Sequence, residues 1–599
     1  KKIIKVMNAS FRDGFQSVYG ARVLTRDFLP ALKAAVDAGI THHEIGGGAR
    51  FQSLFFYCNE NAFDMMDAAR ETVGPDINLQ TLARGINVVG LDSQPKDIIN
   101  LHAKLFKKHG ITTIRNFDAL NDLDNLDYSA NCIVNAGCKH EIVISVMQLA
   151  EDQPGLHDAG YYLELLKDLL KRDIPFSSLC FKDATGTVNP SRIHEIIKAA
   201  KELLPADIPL GFHTHETAGI SVASYLAAIE GGVDRIDLSM VPASGGTSQP
   251  DILTMIHALR GTDFDLGLDE KKILKAEEVF KECMKEYFLP PESTQVSPLI
   301  LVSPLPGGAL TANTQMMRDN DILDKFPSVL EAMPETIKKG GYGSSVTPVS
   351  QFYFQQAFNN VMFGPWNKIA EGYGKMVLGY FGKTPAAPDP KVIKLASEQL
   401  KLPVTTKSPL EINEQDPKKG MAAAKNMLQT NHIEETEENI FIAATCLEKG
   451  MLFLKGEAVT NIRKKAKKPS KGKEHPEGYT VTIDNHVFGV MVEGNVAIVN
   501  GKKYGFNLKE GIDPSHSAPS DSSHMPTADG TNVNAPMMGQ VLKLSVKIGD
   551  QVKQGDTLLV LEAMKMETNI KAPCDGTVTA IAVNAGDAVQ SGQTLVSLN

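Results

Sequence analysis

The chain has 599 residues, 42% hydrophobic and 22% charged, with a net charge of −10. That length gives a prior of roughly three to five domains, and the composition is that of a globular protein. The acidic balance excludes a general nucleic-acid binder, and no apolar run approaches the ~20 residues of a membrane span.

From residue 1 to about 300, short apolar runs alternate with helical patterns. The runs are IIKVM (3–7), HHEI (42–45), INLQTLA (77–83), TTIRNF (112–117), EIVISVM (141–147), SSLCF (177–181), IPLGFHT (208–214) and RIDLSM (235–240). Stretches such as DFLPALKAAVDAG and IHEIIKAAKELL, apolar at i, i+3, i+4 and i+7, lie between them. Eight strand–helix units predict an α/β fold, a (β/α)8 TIM barrel. The competitor, a doubly wound open sheet, carries a Gly-rich phosphate fingerprint after its first strand. Here that strand is followed by NASFRDGFQS.

A mostly helical domain is expected over 301–460, with KGGYGSS (339–345) as a loop. RKKAKKPSKGK (463–473) reads as a solvated cationic connector. Residues 475–510 alternate apolar and polar side chains between turns, so they predict a small β element. Residues 511–532, rich in Pro, Ser and Asp, predict a flexible tether. The seven cysteines include no CxxC pair, so reduced thiols and a cytoplasmic location are expected. The opening KKIIKVMNAS runs directly into a strand pattern, so no signal peptide is expected.

Residues 533–599 contain an internal repeat. APMMGQVLKLSVKIGDQVKQGDTL starts at Ala535 and APCDGTVTAIAVNAGDAVQSGQTL at Ala572. Two such halves predict a flattened β-sandwich with a quasi two-fold axis. Lys565, in LEAMKMETNI, falls on the hairpin that links them. A lysine on a tight turn, behind a tether, describes a swinging arm. The segment resembles biotinyl and lipoyl carrier domains, and AMKM is the biotinyl pattern. The resemblance implies biotin amide-linked to Lys565 by a biotin protein ligase.

Three motifs fall at C-terminal ends of barrel strands, where barrels place their ligands. RDG after strand 1 supplies Asp13, FKDATG at strand 6 supplies Lys182, and HTHE at strand 7 supplies His213 and His215. Residues two apart on a strand share a side, so both imidazoles can face one ion. With Asp13 they suit a divalent Zn, Mn or Co ion.

RDGFQS, LARGIN, RNFDALND, FKDATG, HTHETAG and SGGTSQP make residues 1–300 similar to the carboxyltransferase barrels of pyruvate carboxylase, oxaloacetate decarboxylase α chains and transcarboxylase. Residues through about 460 resemble the second domain of the same proteins. The likeness is nearest to B subunits of two-subunit pyruvate carboxylases. It implies a biotin-dependent carboxyltransferase, of the ligase class, that moves CO2 from carboxybiotin to pyruvate and gives oxaloacetate. It further implies an N-carbamate on Lys182 as a metal ligand. The physics agrees: an ammonium is repelled by a dication, whereas an amine that captures CO2 becomes an anionic oxygen donor. The bland alternative is that Lys182 pairs with Asp183. Arg12, Gln16 and Arg84 are carried over to the 2-oxo acid, since arginine can grip a carboxylate in a bidentate fork. Thr247 is carried over as the proton relay between pyruvate and biotin, a hydroxyl being both donor and acceptor. Its plainer alternative is a helix N-cap.

No G-x-x-x-x-G-K-[ST] loop occurs, so the ATP-dependent biotin carboxylase is expected to be a separate subunit. A homo-oligomer within a hetero-oligomeric complex is expected. The chain departs from the family at Phe15, where His is common, at GGGARFQ (46–52), at Leu91, where Tyr is common, and at Glu216, where Asp is common. Three rivals remain: an oxaloacetate decarboxylase α subunit running the reverse transfer, a metal-dependent lyase or condensing enzyme on the same barrel, and a carrier whose barrel is scaffold only.

Overall fold

The eight runs become eight parallel strands: β1 Lys5–Asn8, β2 His42–Glu44, β3 Asn78–Ala83, β4 Thr113–Asn116, β5 Lys139–Ser145, β6 Ser178–Asp183, β7 Leu210–Thr214 and β8 Arg235–Leu238. In the computed structural model each pairs with the next, and β8 returns to β1 from Lys5↔Arg235 to Asn8↔Leu238, which closes the barrel. The structure describes residues 1–465, 479–483, 486–493, 496–499, 502–505 and 531–599, without 537, 538, 564, 565 and 591.

The helices cover the barrel as their periodicity requires. Thr25–Asp37 buries Phe28, Ala31, Leu32 and Ala35, and Pro190–Leu203 buries Ile193, Ile196, Ile197 and Ala200. The second is set by Pro190 in its first turn and by Asn189, whose side chain accepts from the Arg192 N–H; this is the expected N-terminal chemistry.

The barrel interior is charged. Arg115 reaches Glu141 with Nε and Asp237 Oδ2 with Nη1 at 2.6 Å, and Arg235 reaches Asp237 Oδ1 at 3.2 Å. Three of these four side chains are fully inaccessible, and Arg235 is 9% exposed. Buried charge survives only when paired, and here two guanidinium groups meet two carboxylates.

Helices run from Gly307–Asp319 to Glu437–Leu454, as expected. Lys1–Lys464 form one compact unit and Lys465–Asn599 a second. Within the first, one apolar core takes in barrel and helical residues alike, including Phe441, Ile442 and Leu428. Phe441 packs edge-on to Phe51 and Phe63 from the barrel's outer layer, with centroids 5.6 and 6.1 Å away.

The start of the cationic stretch differs from expectation. Arg463 pairs with Asp319 at 2.6 Å, its carbonyl accepts from the Phe288 N–H, and Lys464 stands 3.6 Å over the Tyr287 ring. Partners on the barrel side and the helical side hold these residues, so this part is docked rather than solvated. Residues 466–473 lie outside the described residues, as does almost all of the expected tether.

In the second unit, Tyr479–Ile483, His486–Glu493, Val496–Val499 and Lys502–Gly505 form an antiparallel meander. Residues 531–599 form two four-stranded sheets. The repeat shows in reciprocal hydrogen bonds: the Gly549 N–H donates to Val578 O at 2.8 Å, and the equivalent Gly586 N–H donates to Val541 O at 2.7 Å. Thr557–Ala563 and Met566–Lys571 pair antiparallel up to Ala563↔Met566. Lys565 itself lies outside the described residues. All seven cysteines are free. Among the described residues no helix is long and apolar enough to cross a membrane.

Candidate active site

β1 delivers Asp13 on the turn of π-helix Ser10–Gly14, and β7 delivers His213 within the strand and His215 just beyond it. Asp13 Oδ2 lies 3.1 Å from His213 Nε2 and 3.2 Å from His215 Nε2, and the two imidazole nitrogens are 3.1 Å apart. Donors bound about 2.0–2.2 Å from one ion, at roughly right-angle to tetrahedral spacing, lie about 3.0–3.4 Å from each other. All three residues are buried. The set therefore fits a divalent ion.

Outer contacts aim the donors. His213 Nδ1 donates to Asp237 Oδ2 at 2.9 Å and His215 Nδ1 to the Thr247 carbonyl at 2.7 Å, so both Nε2 lone pairs turn toward Asp13. Burial works against charge on Asp13, but Arg12, His215 and Lys182 outweigh it and hold its carboxyl well below the usual range. Burial likewise opposes the charge of Asp237, which Arg115 and Arg235 keep strongly acidic. The pKa of His213 is lowered by burial and then by Lys182, which favours the neutral ligand form.

Lys182, at the end of β6, borders the same cavity and is 5% exposed. Its amine has no hydrogen-bond or salt-bridge partner among the described residues. Asp183 is taken by the N–H groups of Gly186 and Val188, both at 2.9 Å, and by Thr185 Oγ1 at 2.8 Å. The Lys182–Asp183 pair therefore does not form. Burial lowers the pKa of Lys182, and Asp13 only partly offsets this.

A small cavity opens over this floor. Arg12, Gln16 and Arg84 border it. Arg12 is held by Glu44 at 2.8 Å and reaches Gln16 Oε1 at 3.4 Å. Arg84 donates to the carbonyls of Val89 and Gly90, both at 2.9 Å, and meets no carboxylate among the described residues. The Nε of each arginine is closed off from solvent and has no hydrogen-bond partner among the described residues. Two guanidinium groups bordering a cation site suit a carboxylate next to an oxo group.

Thr247 corrects the sequence reading. It is fully buried and does not border the cavity. Its hydroxyl donates to Ser17 O at 2.7 Å and approaches Ser293 O at 3.1 Å, while Thr311 Oγ1 lies 3.2 Å away. The hydroxyl is spent on main chain, whereas the carbonyl holds His215. It is no helix N-cap either: helix Ile252–Ala258 is capped by Asp251.

Several wall residues escaped the sequence. Pro306, Gly308 and Ala309 open helix Gly307–Asp319 against the cavity, and Val346 and Thr347 follow the loop at 339–345. That segment is a loop, as expected, but the residues behind it close the site. Gly307 has no room for a side chain, because a Cβ there would collide with the Thr247 carbonyl. Glu44, Asp237 and Gln249 also went unnoticed, although HHEI, RIDLSM and SGGTSQP contain them. Among the family departures, Gly48 of GGGARFQ lies beside Arg84 and Gln16, where a Cβ would stand 3.4 Å from Arg84 Nη2, while Phe15 and Arg50 pack on each other, with Arg50 Cζ 5.4 Å from the ring centroid. Neither borders the site, nor do Leu91 and Glu216.

Comparison with known proteins agrees with this arrangement. Residues 165–280 match the HMGL-like family model, 300–492 the conserved carboxylase domain, and 531–598 the biotin-requiring enzyme domain. The chain is 32% identical to the B subunit of pyruvate carboxylase from Methanocaldococcus jannaschii over 94% of each chain. It is 30% identical to the methylmalonyl-CoA carboxyltransferase 5S subunit of Propionibacterium freudenreichii subsp. shermanii, over 66% of this chain and 77% of that one. The fold is that of the carboxyl transferase domain from Rhizobium etli pyruvate carboxylase, with a TM-score of 0.69 at 22% identity, over 84% of this chain and 88% of that one. A barrel with a metal-fitting floor, joined to a biotin-requiring domain, defines a biotin-dependent carboxyltransferase. The HMGL-like match lies within the barrel, and the biotin-requiring domain follows it in the chain. The chain belongs to the family of pyruvate carboxylase B subunits.

Proposed function

We propose that the chain transfers CO2 from biotin on Lys565 to pyruvate, giving oxaloacetate. The observation that carries this is the pairing of the Asp13–His213–His215 floor with Arg12, Gln16 and Arg84 around the cavity that opens on it. Asp13, His213, His215 and a carbamate on Lys182 would hold a Zn, Mn or Co ion. Such an ion, when bound, supplies Lewis acidity at the 2-oxo group. Biotin, when bound, supplies the one-carbon unit.

The chain's own residues do the rest. Arg84, which has no carboxylate partner among the described residues, grips the substrate carboxylate. Arg12 and Gln16 complete the orientation, and the fixed dipoles stabilise charge that develops on the oxo oxygen. Leu82, Phe117, Ala184 and Val346 line part of the remaining wall, with Thr347 beside them. Those apolar neighbours suit a methyl group, which supports pyruvate. Lys182 without an acid partner supports the carbamate.

The membership of these relatives in two-part pyruvate carboxylases, as B subunits, supports a separate companion chain, which we assign as the ATP-dependent biotin carboxylase. We further assign loading of Lys565 to a biotin protein ligase, and the assembly to a homo-oligomer within a hetero-oligomeric complex. Seven free thiols suit a reducing compartment, the cytoplasm. The test is to co-express the full chain with a biotin ligase and assay oxaloacetate decarboxylation, the reverse transfer. Wild type should be active and carry one biotin by intact mass, and Lys565→Arg should lose both. Activity retained in Lys565→Arg would overturn the reading.

A further inference from the structure

Gln249 lies in the SGGTSQP turn after β8, and the acceptor-only Asp13 carboxylate fixes which way its amide faces, with two serines completing its contacts. Its Oε1 accepts from Ser239 Oγ at 2.8 Å and approaches Ser248 Oγ at 3.1 Å, with the NH2 on the inner side. There Nε2 donates to Asp13 Oδ2 at 2.9 Å, and it stands 3.2 Å from His215 Nε2 and 3.4 Å from His213 Nε2. One nitrogen thus faces all three donor atoms. Gln249 is fully buried and does not border the cavity, whereas Asp13, His215 and Lys182 do. Its amide therefore covers the side of the donor triangle turned away from substrate.

We propose that Gln249 is a positioning residue that closes the rear of the metal centre and confines the ion to the face shared with Lys182 and substrate. An amide NH2 is a donor only, so it cannot ligate a cation and keeps the rear face closed to one. It also anchors the coordinating oxygen of Asp13, while Arg12 Nη1 holds the other oxygen at 3.3 Å. Between them the carboxylate cannot rotate. The amide does this without adding charge, as a carboxylate at the same place would. The inference rests on the metal reading of Asp13, His213 and His215.

The test strips the full-length biotinylated protein of metal and titrates it with Zn²⁺ and with Co²⁺ against a competing chelator. Gln249→Leu keeps the volume and removes the donor. Its affinity for both ions should fall about 10–100-fold, the size expected when an outer contact of a ligand is lost. The Co²⁺ absorption bands should shift as the rear face opens, while the melting temperature of the stripped protein stays at the wild-type value. Wild-type affinity and an unshifted Co²⁺ spectrum in Gln249→Leu overturn the proposal. If that variant does not fold, Ser239→Ala, which unpins the amide, is read instead. It should lose affinity in the same direction by several-fold, and unchanged affinity overturns the proposal. If wild type itself binds neither ion, the metal reading fails and the proposal with it.

Discussion

His215 Nδ1 donates to the main-chain carbonyl of Thr247 across 2.7 Å, while the Thr247 hydroxyl turns away to Ser17 O at 2.7 Å. The contact that serves the metal floor needs no side chain at 247. Thr247→Ala should therefore keep its metal and lose less than about tenfold in carboxyl transfer, whereas removing a proton relay costs about 10²–10⁴-fold. Steady-state kcat, with exchange of pyruvate methyl protons in D2O, separates the two. A loss in the larger range would restore Thr247 to the relay.

Arg84 borders the cavity and, among the described residues, leaves no acid unpaired when it is changed. Arg84→Lys keeps the charge and loses the fork. KM for pyruvate should rise roughly 10–100-fold, equivalent to about 1.4–2.7 kcal/mol of binding, with a smaller change in kcat. An unchanged KM would remove Arg84 from the substrate.

Lys182 is buried without a hydrogen-bond or salt-bridge partner among the described residues, and its pKa is lowered by burial. Protein equilibrated with ¹³C-bicarbonate should show one slowly exchanging carbamate resonance, lost in Lys182→Gln. That variant should lose more carboxyl-transfer activity than the about 10–100-fold typical of an outer-contact change. A wild-type spectrum without the resonance would leave Lys182 as a free amine.

Asp118, in the NFDALND stretch, shares a small recess with Arg84 and Asn87. Burial, and then Asp122, push its pKa up to about 7. The native carboxyl thus keeps a proton that the unfolded chain sheds near pH ~3.9. Its contribution makes stability fall as pH rises from about 4 to about 7 and level off above, by at most about 1.4 kcal/mol per pH unit. Asp118→Asn should flatten that part of a melting curve series between pH 5 and 8. Equal slopes in the two proteins would show that Asp118 is ionised when native.

The barrel was legible because each strand is a short apolar run bounded by turn residues, and the helices repeat their apolar positions with the right period. The metal floor was legible because HTH places two imidazoles on one side of one strand. What stayed hidden is set by distance in the chain. Nothing near Arg12 announces that Glu44 holds it, and Pro306 and Val346 reach the cavity through tertiary packing alone. Thr247 misled for a physical reason: its motif does touch the site, but through the backbone, which a residue name does not encode. Gln249, two residues on, carried the side-chain contact instead.

Gly307 lies so close against the Thr247 carbonyl that even a methyl group is excluded. The helical half is thereby keyed into the rim of the barrel, and the two together enclose one chamber. A gene split, or a fusion joint, at residue 300 would part the walls of that chamber and expose its floor to solvent. Placed just after Lys464, the same joint would fall between the two compact units and leave the chamber whole.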